Sequence, residues 1–263
     1  MRFEILGSLT VHGPEGYVPI AGTKRRAVLI ALLVNANQVV PTTRLTDWLW
    51  PHDPPPSAAL VIQAHVSVLR RQLEPDRPPG LAPTLLLTRG GGYLCRVRVD
   101  QLDLLRFQEL LHAGARSLHA DRVEDAARLL GEALDLWRGE PLEEVGHTPP
   151  AQGEIARLRE LRLTATVLRM EAGLRMRQYG EIIPQLSDLI VRHPYHERFY
   201  AQLMIALASS GRRAEALAVY RRADRVLGEE LAVRPGRELR RIEGEILADR
   251  IDDWRTDFPM GGS

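Results

Sequence analysis

The segment from Ser57 to Leu73 carries polar and basic side chains at a helical spacing that suits contact with nucleic acid. At 100° per residue Ile62, Val66, Leu69 and Leu73 share one side. The other side carries Gln63, Ser67, Arg70 and Arg71. Leu60, Ala64 and Val68 share that second side, where small or apolar groups can contact a thymine methyl. The pattern predicts a helix that packs through one face and offers the other to a DNA groove. An ordinary surface helix with solvated arginines is the alternative.

A second stretch, Thr84–Val97, alternates in polarity on both sides of Arg89 and of three glycines, Gly90 to Gly92. This pattern predicts a β-hairpin with a tight turn. An arginine at such a tip can enter a minor groove, where negative potential is concentrated. Another strand follows the glycines, so the turn lacks the helix N-terminus that a phosphate-binding loop requires.

The residues before these two segments supply the elements that must position them. Residues 2–20 alternate as short antiparallel strands, and a helix starts at Thr23. A second helix runs from Thr43 to Trp50, and Ser57 is placed to cap the third. Strands, three helices and a hairpin predict a winged helix. Its third helix enters the major groove, and its hairpin, the wing, reaches a neighbouring minor groove.

Beyond Asp100 the pattern is wholly helical. Seven amphipathic runs follow, at residues 102–119, 121–138, 151–177, 179–193, 195–210, 212–228 and 235–250. The segments that start at Gln178 and Arg212 match in register at an offset of 34 residues, the period of a tetratricopeptide hairpin. The fold class we expect is therefore mixed: an α+β winged helix followed by an all-α, tetratricopeptide-like domain. Chance similarity between two amphipathic helices is the alternative to a repeat.

Charge is distributed unevenly along the chain, although the net charge is only +1. Residues 1–98 hold 11 Lys and Arg against 6 Asp and Glu, whereas the remainder holds 24 against 28. The front part therefore suits a polyanion such as DNA, and the acidic remainder does not. Lys24 is the only lysine among 35 basic residues, which indicates a coding bias towards arginine, so the arginine count alone has little weight.

We find no catalytic, metal-binding or cofactor-binding motif, so we expect no enzyme activity, no metal and no cofactor. Cys95, the only cysteine, lies in an alternating strand pattern, which favours a packed thiol over a nucleophile. A single cysteine excludes an intramolecular disulfide, and the sequence shows neither a signal peptide nor a membrane span. We expect a cytoplasmic protein that associates with the nucleoid and not with a membrane.

Several short motifs resemble two domain families that occur together in bacterial regulators. The front part is similar to the OmpR-type winged helix in Trp50, in His65-Val66-x-x-Leu69-Arg70-Arg71 and in Thr88-Arg89-Gly90-x-Gly92-Tyr93. The remainder resembles the bacterial transcriptional activation domain in Ala133-Leu134-x-Leu136-Trp137-Arg138-Gly139 and His193-Pro194-x-x-Glu197. Over residues 2 to about 250 the chain is identified as a member of the Streptomyces antibiotic regulatory protein family, in its small two-domain form.

The resemblance implies a set of DNA-contacting residues. Gln63, Ser67 and Arg71 would face bases, and Arg89 would be the minor-groove arginine. Trp50, His65, Arg70 and Tyr93 would contact the DNA backbone or support the framework. The complete set is Arg26, Thr43, Arg44, Trp50, Gln63, Ala64, His65, Ser67, Arg70, Arg71, Arg89, Gly90 and Tyr93.

Alternative roles and departures from the family pattern qualify this set. The alternative for Trp50 is that it serves only as a core anchor, and the alternative for His65 is that it is only a framework histidine. The family commonly has a basic residue where this chain has Val68, which implies an altered half-site. Arg177 and Ala232 stand where the family usually has glycines, so we expect those helix ends to run on differently.

The resemblance also implies the domain organisation and the function. We expect a DNA-binding domain at residues 1–98, an activation domain at 99–252 and a disordered tail at 253–263. The implied function is a sequence-specific activator that binds direct repeats in promoter DNA as a side-by-side dimer. It would recruit RNA polymerase, including its sigma factor, to an antibiotic gene cluster. A repressor built from the same parts and a tetratricopeptide-like, ligand-responsive adaptor are the alternatives.

Overall fold

A computed structural model of the chain describes residues 1–146 and 148–250. The described residues form two compact units, considered separately below. The first contains Met1–Ala113 and Gly131–Leu163, and the second contains Gly114–Leu130 together with the described residues from Thr164 onward. The predicted tail at 253–263 lies outside the described residues, and the domain boundary at residue 98 stays a prediction.

The first unit opens with a three-stranded antiparallel sheet of β1 (Arg2–Glu4), β2 (Thr10–Gly13) and β3 (Gly16–Tyr17), in that order. Phe3 of β1 pairs with Val11 of β2, and both side chains are buried. Their polar neighbours along each strand are more exposed. The alternation in the sequence therefore sets which face of the sheet meets the core.

Three helices follow this sheet: α1 (Thr23–Val34), α2 (Thr42–Leu49) and α3 (Ala58–Leu73), with the short strand β4 (Val40–Pro41) before α2. Residues 27–33 of α1 are all buried because α2 and α3 both pack against this helix. The prediction that Ser57 caps α3 is wrong. Its hydroxyl makes no capping bond, and the Ala58 N–H donates to the Pro55 carbonyl oxygen at 2.9 Å.

The hairpin consists of β5 (Leu86–Arg89) and β6 (Gly92–Cys95), and β6 pairs with β4 on its other side. Gly90 and Gly91 have φ of 49° and 78°, the left-handed backbone of a two-residue hairpin turn. A Cβ at Gly92 would overlap the carbonyl oxygen of Val40, so glycine permits the close pairing of β6 with β4. The sheets, three helices and hairpin confirm the predicted winged helix.

Seven α-helices follow residue 100 within the described residues, and all seven runs were predicted: α4 (Asp103–His119), α5 (Val123–Asp135), α6 (Pro149–Arg175), α7 (Tyr179–Arg192), α8 (Glu197–Ser209), α9 (Arg213–Leu231) and α10 (Arg237–Leu247). In the second unit α8 is buried along most of its length, with α7, α9 and α10 packed against it. α7 and α9 begin 34 residues apart, which matches the repeat offset seen in the sequence.

The expectation that the helix ends at Arg177 and Ala232 run on differently from glycine-terminated ones is wrong. α6 ends at Arg175 and α9 at Leu231, and Arg177 and Ala232 have φ of 57° and 55°. After each, the next backbone N–H returns to a helix carbonyl, from Gln178 to Gly173 and from Val233 to Leu227. Both residues thus take the left-handed conformation in which glycine usually ends a helix, and they bear its steric cost.

Candidate nucleic-acid interface

The exposed side of α3 forms a continuous surface, which we call the groove face. Ile62, Val66, Leu69 and Leu73 are buried on the opposite side of the helix. The groove face consists of five exposed residues, Leu60, Gln63, Ala64, Ser67 and Arg71. It contains the three residues of α3 predicted to face bases and two of the three apolar residues predicted to meet a thymine methyl, whereas Val68 is half-buried. It offers the amide of Gln63, the hydroxyl of Ser67, the guanidinium of Arg71 and two apolar side chains.

The wing supplies a second exposed element in the same unit. Arg89 ends β5, and both Arg89 and Gly90 are exposed at the turn. Within the described residues, the side chains of Arg89 and Arg71 make no hydrogen bond or ion pair. Their guanidinium groups are thus available to phosphate oxygens or base edges.

Arg70 connects α3 to the wing. Its Nε donates to the Leu86 carbonyl oxygen at 2.8 Å, and an Nη donates to the Thr88 hydroxyl at 2.8 Å. Its guanidinium carbon lies 6.0 Å from the centre of the buried Tyr93 ring. Arg70 thus joins the hairpin to α3, with the Tyr93 ring beside it, and contact of either residue with DNA stays a prediction.

One basic residue near the start of α1, Lys24, was not among the predicted DNA contacts. The Lys24 ammonium lies 4.4 Å from the centre of the Trp50 ring, a cation–π contact at the end of α2. The relevant signal in the sequence was that Lys24 is the sole lysine of the chain. Thr43 and Arg44, two further predicted contacts, are exposed in the first turn of α2. Lys24 belongs with them on the list of candidate phosphate contacts.

His65 is half-buried on the flank of α3. Burial, together with the charges of Arg25 and Lys24, lowers its pKa below the ordinary value of 6.5. The imidazole is therefore neutral at pH 7 and adds a hydrogen-bonding group but no charge. Its Nε2 is buried and has no hydrogen-bond partner among the described residues, which agrees with a framework position.

Arg26 points to partners inside the first unit. Its guanidinium donates to the Leu9 carbonyl oxygen at 2.8 Å and forms an ion pair with Glu144. The Glu144 carboxylate also accepts the Leu9 backbone N–H at 2.8 Å. Contact between Arg26 and DNA stays a prediction, and the structure shows that its charge is already neutralised.

Asp103 makes a second connection of this kind. It is 6% exposed, and its carboxylate accepts the backbone N–H groups of Ile5, Leu6 and Leu104 at 2.8 to 2.9 Å. Burial raises the pKa of Asp103 to about 6, while these hydrogen bonds and nearby Arg138 act to lower it. Asp103, Arg138, Arg26 and Glu144 form what we call the polar brace. It ties the N-terminal strands to residues beyond the predicted boundary at 98.

The described residues outside these surfaces include one thiol and several potential metal ligands. Cys95 is fully buried, and burial raises its pKa to about 12, so its thiol is packed as predicted. Within residues 1–146 and 148–250, no group of three or more His, Cys, Asp and Glu side chains is placed to hold a metal ion. None of the helices described there has the length and apolar character needed to cross a membrane.

Comparison with known proteins identifies two matching domain families. Residues 20–95 match the C-terminal domain of transcriptional regulatory proteins, and residues 102–247 match the bacterial transcriptional activator domain. The chain is 36% identical to the regulatory protein DnrI of Streptomyces peucetius, over 94% of this chain and 92% of that protein. It is 34% identical to the regulatory protein AfsR of Streptomyces griseus, of which it spans 24%.

A solved structure supports the same assignment. Mycobacterium tuberculosis EmbR, in complex with a low-affinity phosphopeptide, matches with a TM-score of 0.89 at 32% sequence identity. The match covers 95% of this chain and 65% of the EmbR chain. Since one domain model spans more than half of the sequence and DnrI is similar along nearly its whole length, the chain belongs to the Streptomyces antibiotic regulatory protein family of transcriptional regulators.

Proposed function

We propose that this chain is a sequence-specific DNA-binding activator that controls a gene cluster for antibiotic or other secondary-metabolite biosynthesis. The observation that carries the proposal is the groove face of α3 beside a wing whose Arg89 is exposed. A helix in this position enters the major groove, and the wing arginine enters the adjacent minor groove. Gln63 and Ser67 hydrogen-bond base edges, and Arg71 binds a guanine edge or a phosphate.

A single winged helix reads few base pairs, so two copies bind side by side on directly repeated half-sites. Whole helical turns between the half-sites, each about 10 to 10.5 base pairs, keep both copies on one face of the DNA. The chain acts in this way in the cytoplasm, on the nucleoid. Promoter DNA is therefore the first partner.

RNA polymerase, including its sigma factor, is the second partner, and the helical remainder of the chain recruits it. The support for this step is the match of residues 102–247 to the activator domain, together with the acidic balance of that part, which does not suit DNA. Family membership supports recruitment by this part of the chain.

Transcription in vitro with purified RNA polymerase tests the proposal. The full chain is used, because a fragment ending at residue 98 would lack Asp103 and Glu144, which bind the backbone of Ile5, Leu6 and Leu9. The parent is compared with Arg89→Ala. Arg96→Ala is the matched control, since Arg96 is exposed in the same part of the chain beyond the end of β6.

The parent and Arg96→Ala are expected to activate transcription from a promoter with direct repeats, and Arg89→Ala is expected to activate it weakly. Repression by the parent would show a regulator of the opposite sign. No effect of the parent, with no preference for promoter DNA, would refute the proposal and favour the adaptor.

A further inference from the structure

The groove face has one large apolar side chain near its N-terminal end. Leu60 is 68% exposed, the highest value among the large hydrophobic side chains of the described residues. Ala64 and Val68 follow at intervals of four residues, so the three form a row along one side of α3. Ala64 is exposed and Val68 is half-buried. Solvent exposure along the row is therefore greatest at Leu60.

A single exposed leucine is common on protein surfaces and needs no explanation by itself. The position of Leu60 gives it significance. It is the third residue of α3, near the N-terminal end, which is the part of a recognition helix that contacts base edges. Gln63 and Arg71 lie on the same face, and their chemistry suits bases and phosphates.

Thymine is the only base with a methyl group in the major groove. A leucine side chain and the alanine methyl one helical turn away can together cover a group of that size. We propose that Leu60, with Ala64, determines specificity by burying the methyl group of one thymine in each half-site. This inference rests on the proposed function, and it assigns the apolar row to DNA because the rest of the groove face is polar and basic.

Replacement of thymine by deoxyuridine tests the inference, because it removes the methyl group and keeps every hydrogen-bonding group of the base. Binding of the full-length chain is measured on a duplex with two half-sites located by footprinting, and each thymine is replaced in turn. At one thymine per half-site the parent is expected to lose about fourfold in affinity, the effect of one buried methyl group.

Leu60→Ala is expected to bind the thymine duplex about fourfold more weakly than the parent does. This variant should bind the corresponding deoxyuridine duplex as well as it binds the thymine duplex. Leu81→Ala is the control, because Leu81 is also a highly exposed leucine but precedes the wing instead of lying on α3. This control should keep the full response of the parent to deoxyuridine.

Equal affinity of the parent for every deoxyuridine duplex would overturn the inference, as would an undiminished response in Leu60→Ala. Normal DNA binding by Leu60→Ala with loss of transcription activation would assign the apolar row to a protein partner and overturn it as well. In each of these cases the parent still recognises its promoter, so the proposed function stands. Absence of any sequence preference in the parent would overturn both.

Discussion

The groove face and the polar brace lie in the same compact unit and use similar residue types for opposite purposes. In the brace, Arg26 and Asp103 are tied to backbone groups and to opposite charges, and each is largely withdrawn from solvent. On the groove face and wing, Arg71 and Arg89 stand in solvent without a partner among the described residues. The brace therefore links segments of the unit, whereas the groove face and the wing leave the guanidinium groups of Arg71 and Arg89 exposed.

Partners, and not residue type, distinguish the engaged arginines of this unit from those whose side chains are unpaired among the described residues. Arg25 and Arg26 are adjacent in the sequence, yet only Arg26 forms an ion pair with Glu144. The expected consequence is a separation of effects. Changes in the brace should alter the free energy of unfolding, and changes in the groove face should alter binding of DNA.

The largest effect is expected for Asp103→Ala. It leaves three buried or nearby backbone N–H groups without their acceptor, so the free energy of unfolding should fall by about 3 to 5 kcal/mol. Urea denaturation measures this loss. Asp100→Ala is the control, because Asp100 is exposed and its ion pair with Arg98 lies in solvent, so this change should leave stability nearly unchanged. Similar losses in both variants would show that the brace contributes no more to the free energy of unfolding than an exposed ion pair does.

The next effect concerns readout by the groove face. Gln63→Ala should relax base preference at one position, at a cost of about 1 to 3 kcal/mol, and leave the dependence of binding on salt unchanged. Arg44→Ala, on α2, should weaken binding to all sequences alike and reduce the slope of log affinity against log salt by about 1. Selection of binding sites and salt titrations measure the two effects. An unchanged site preference in Gln63→Ala would contradict the assignment.

Arg70→Ala should affect both stability and DNA binding, because Arg70 connects the recognition helix to the wing. Loss of its bonds to Leu86 and Thr88 should lower the free energy of unfolding by about 1 to 2 kcal/mol and weaken DNA binding. Thr88→Val, which removes one of the two bonds, should lower it by about 0.5 to 1 kcal/mol. Unchanged stability with a reduced salt slope would instead make Arg70 a phosphate contact.

The smallest effect is expected at the two helix ends where Arg177 and Ala232 adopt a left-handed backbone. Arg177→Gly and Ala232→Gly should each raise the free energy of unfolding by about 0.5 to 1 kcal/mol, because glycine adopts their left-handed conformation without a steric cost. Ala218→Gly, at an exposed position inside α9, should lower it by about 1 kcal/mol. Calorimetry measures the three values, and a common sign would refute the explanation.

Sequence periodicity predicted most of the fold because its elements are determined locally. Ile62, Val66, Leu69 and Leu73 of α3 repeat every three or four positions, and all four are buried as expected. The helix ends at Arg177 and Ala232 were predicted wrongly, because both residues adopt a left-handed backbone that neither favours by itself. Propensity alone does not contain that information.

The candidate site was predictable to the same extent. The groove face follows from helical spacing, and Arg89 follows from its place beside the glycine turn. The brace does not follow from the sequence, because Asp103 meets Ile5 and Leu6 nearly a hundred residues away and no local pattern links them. For the same reason the sequence placed Arg26 with the DNA contacts, although its guanidinium is engaged with Leu9 and Glu144.

A hydroxyl-radical footprint on the promoters that neighbour its own gene tests the central claim most directly. The full-length chain and Arg89→Ala are compared at physiological salt, after thermal unfolding has shown that they are equally stable. We expect the parent to protect directly repeated half-sites on one face of the DNA, and Arg89→Ala to lose protection, first in the minor groove beside each half-site. Equal protection by both proteins, or no localised protection by the parent, would contradict the assignment of the groove face and wing to DNA.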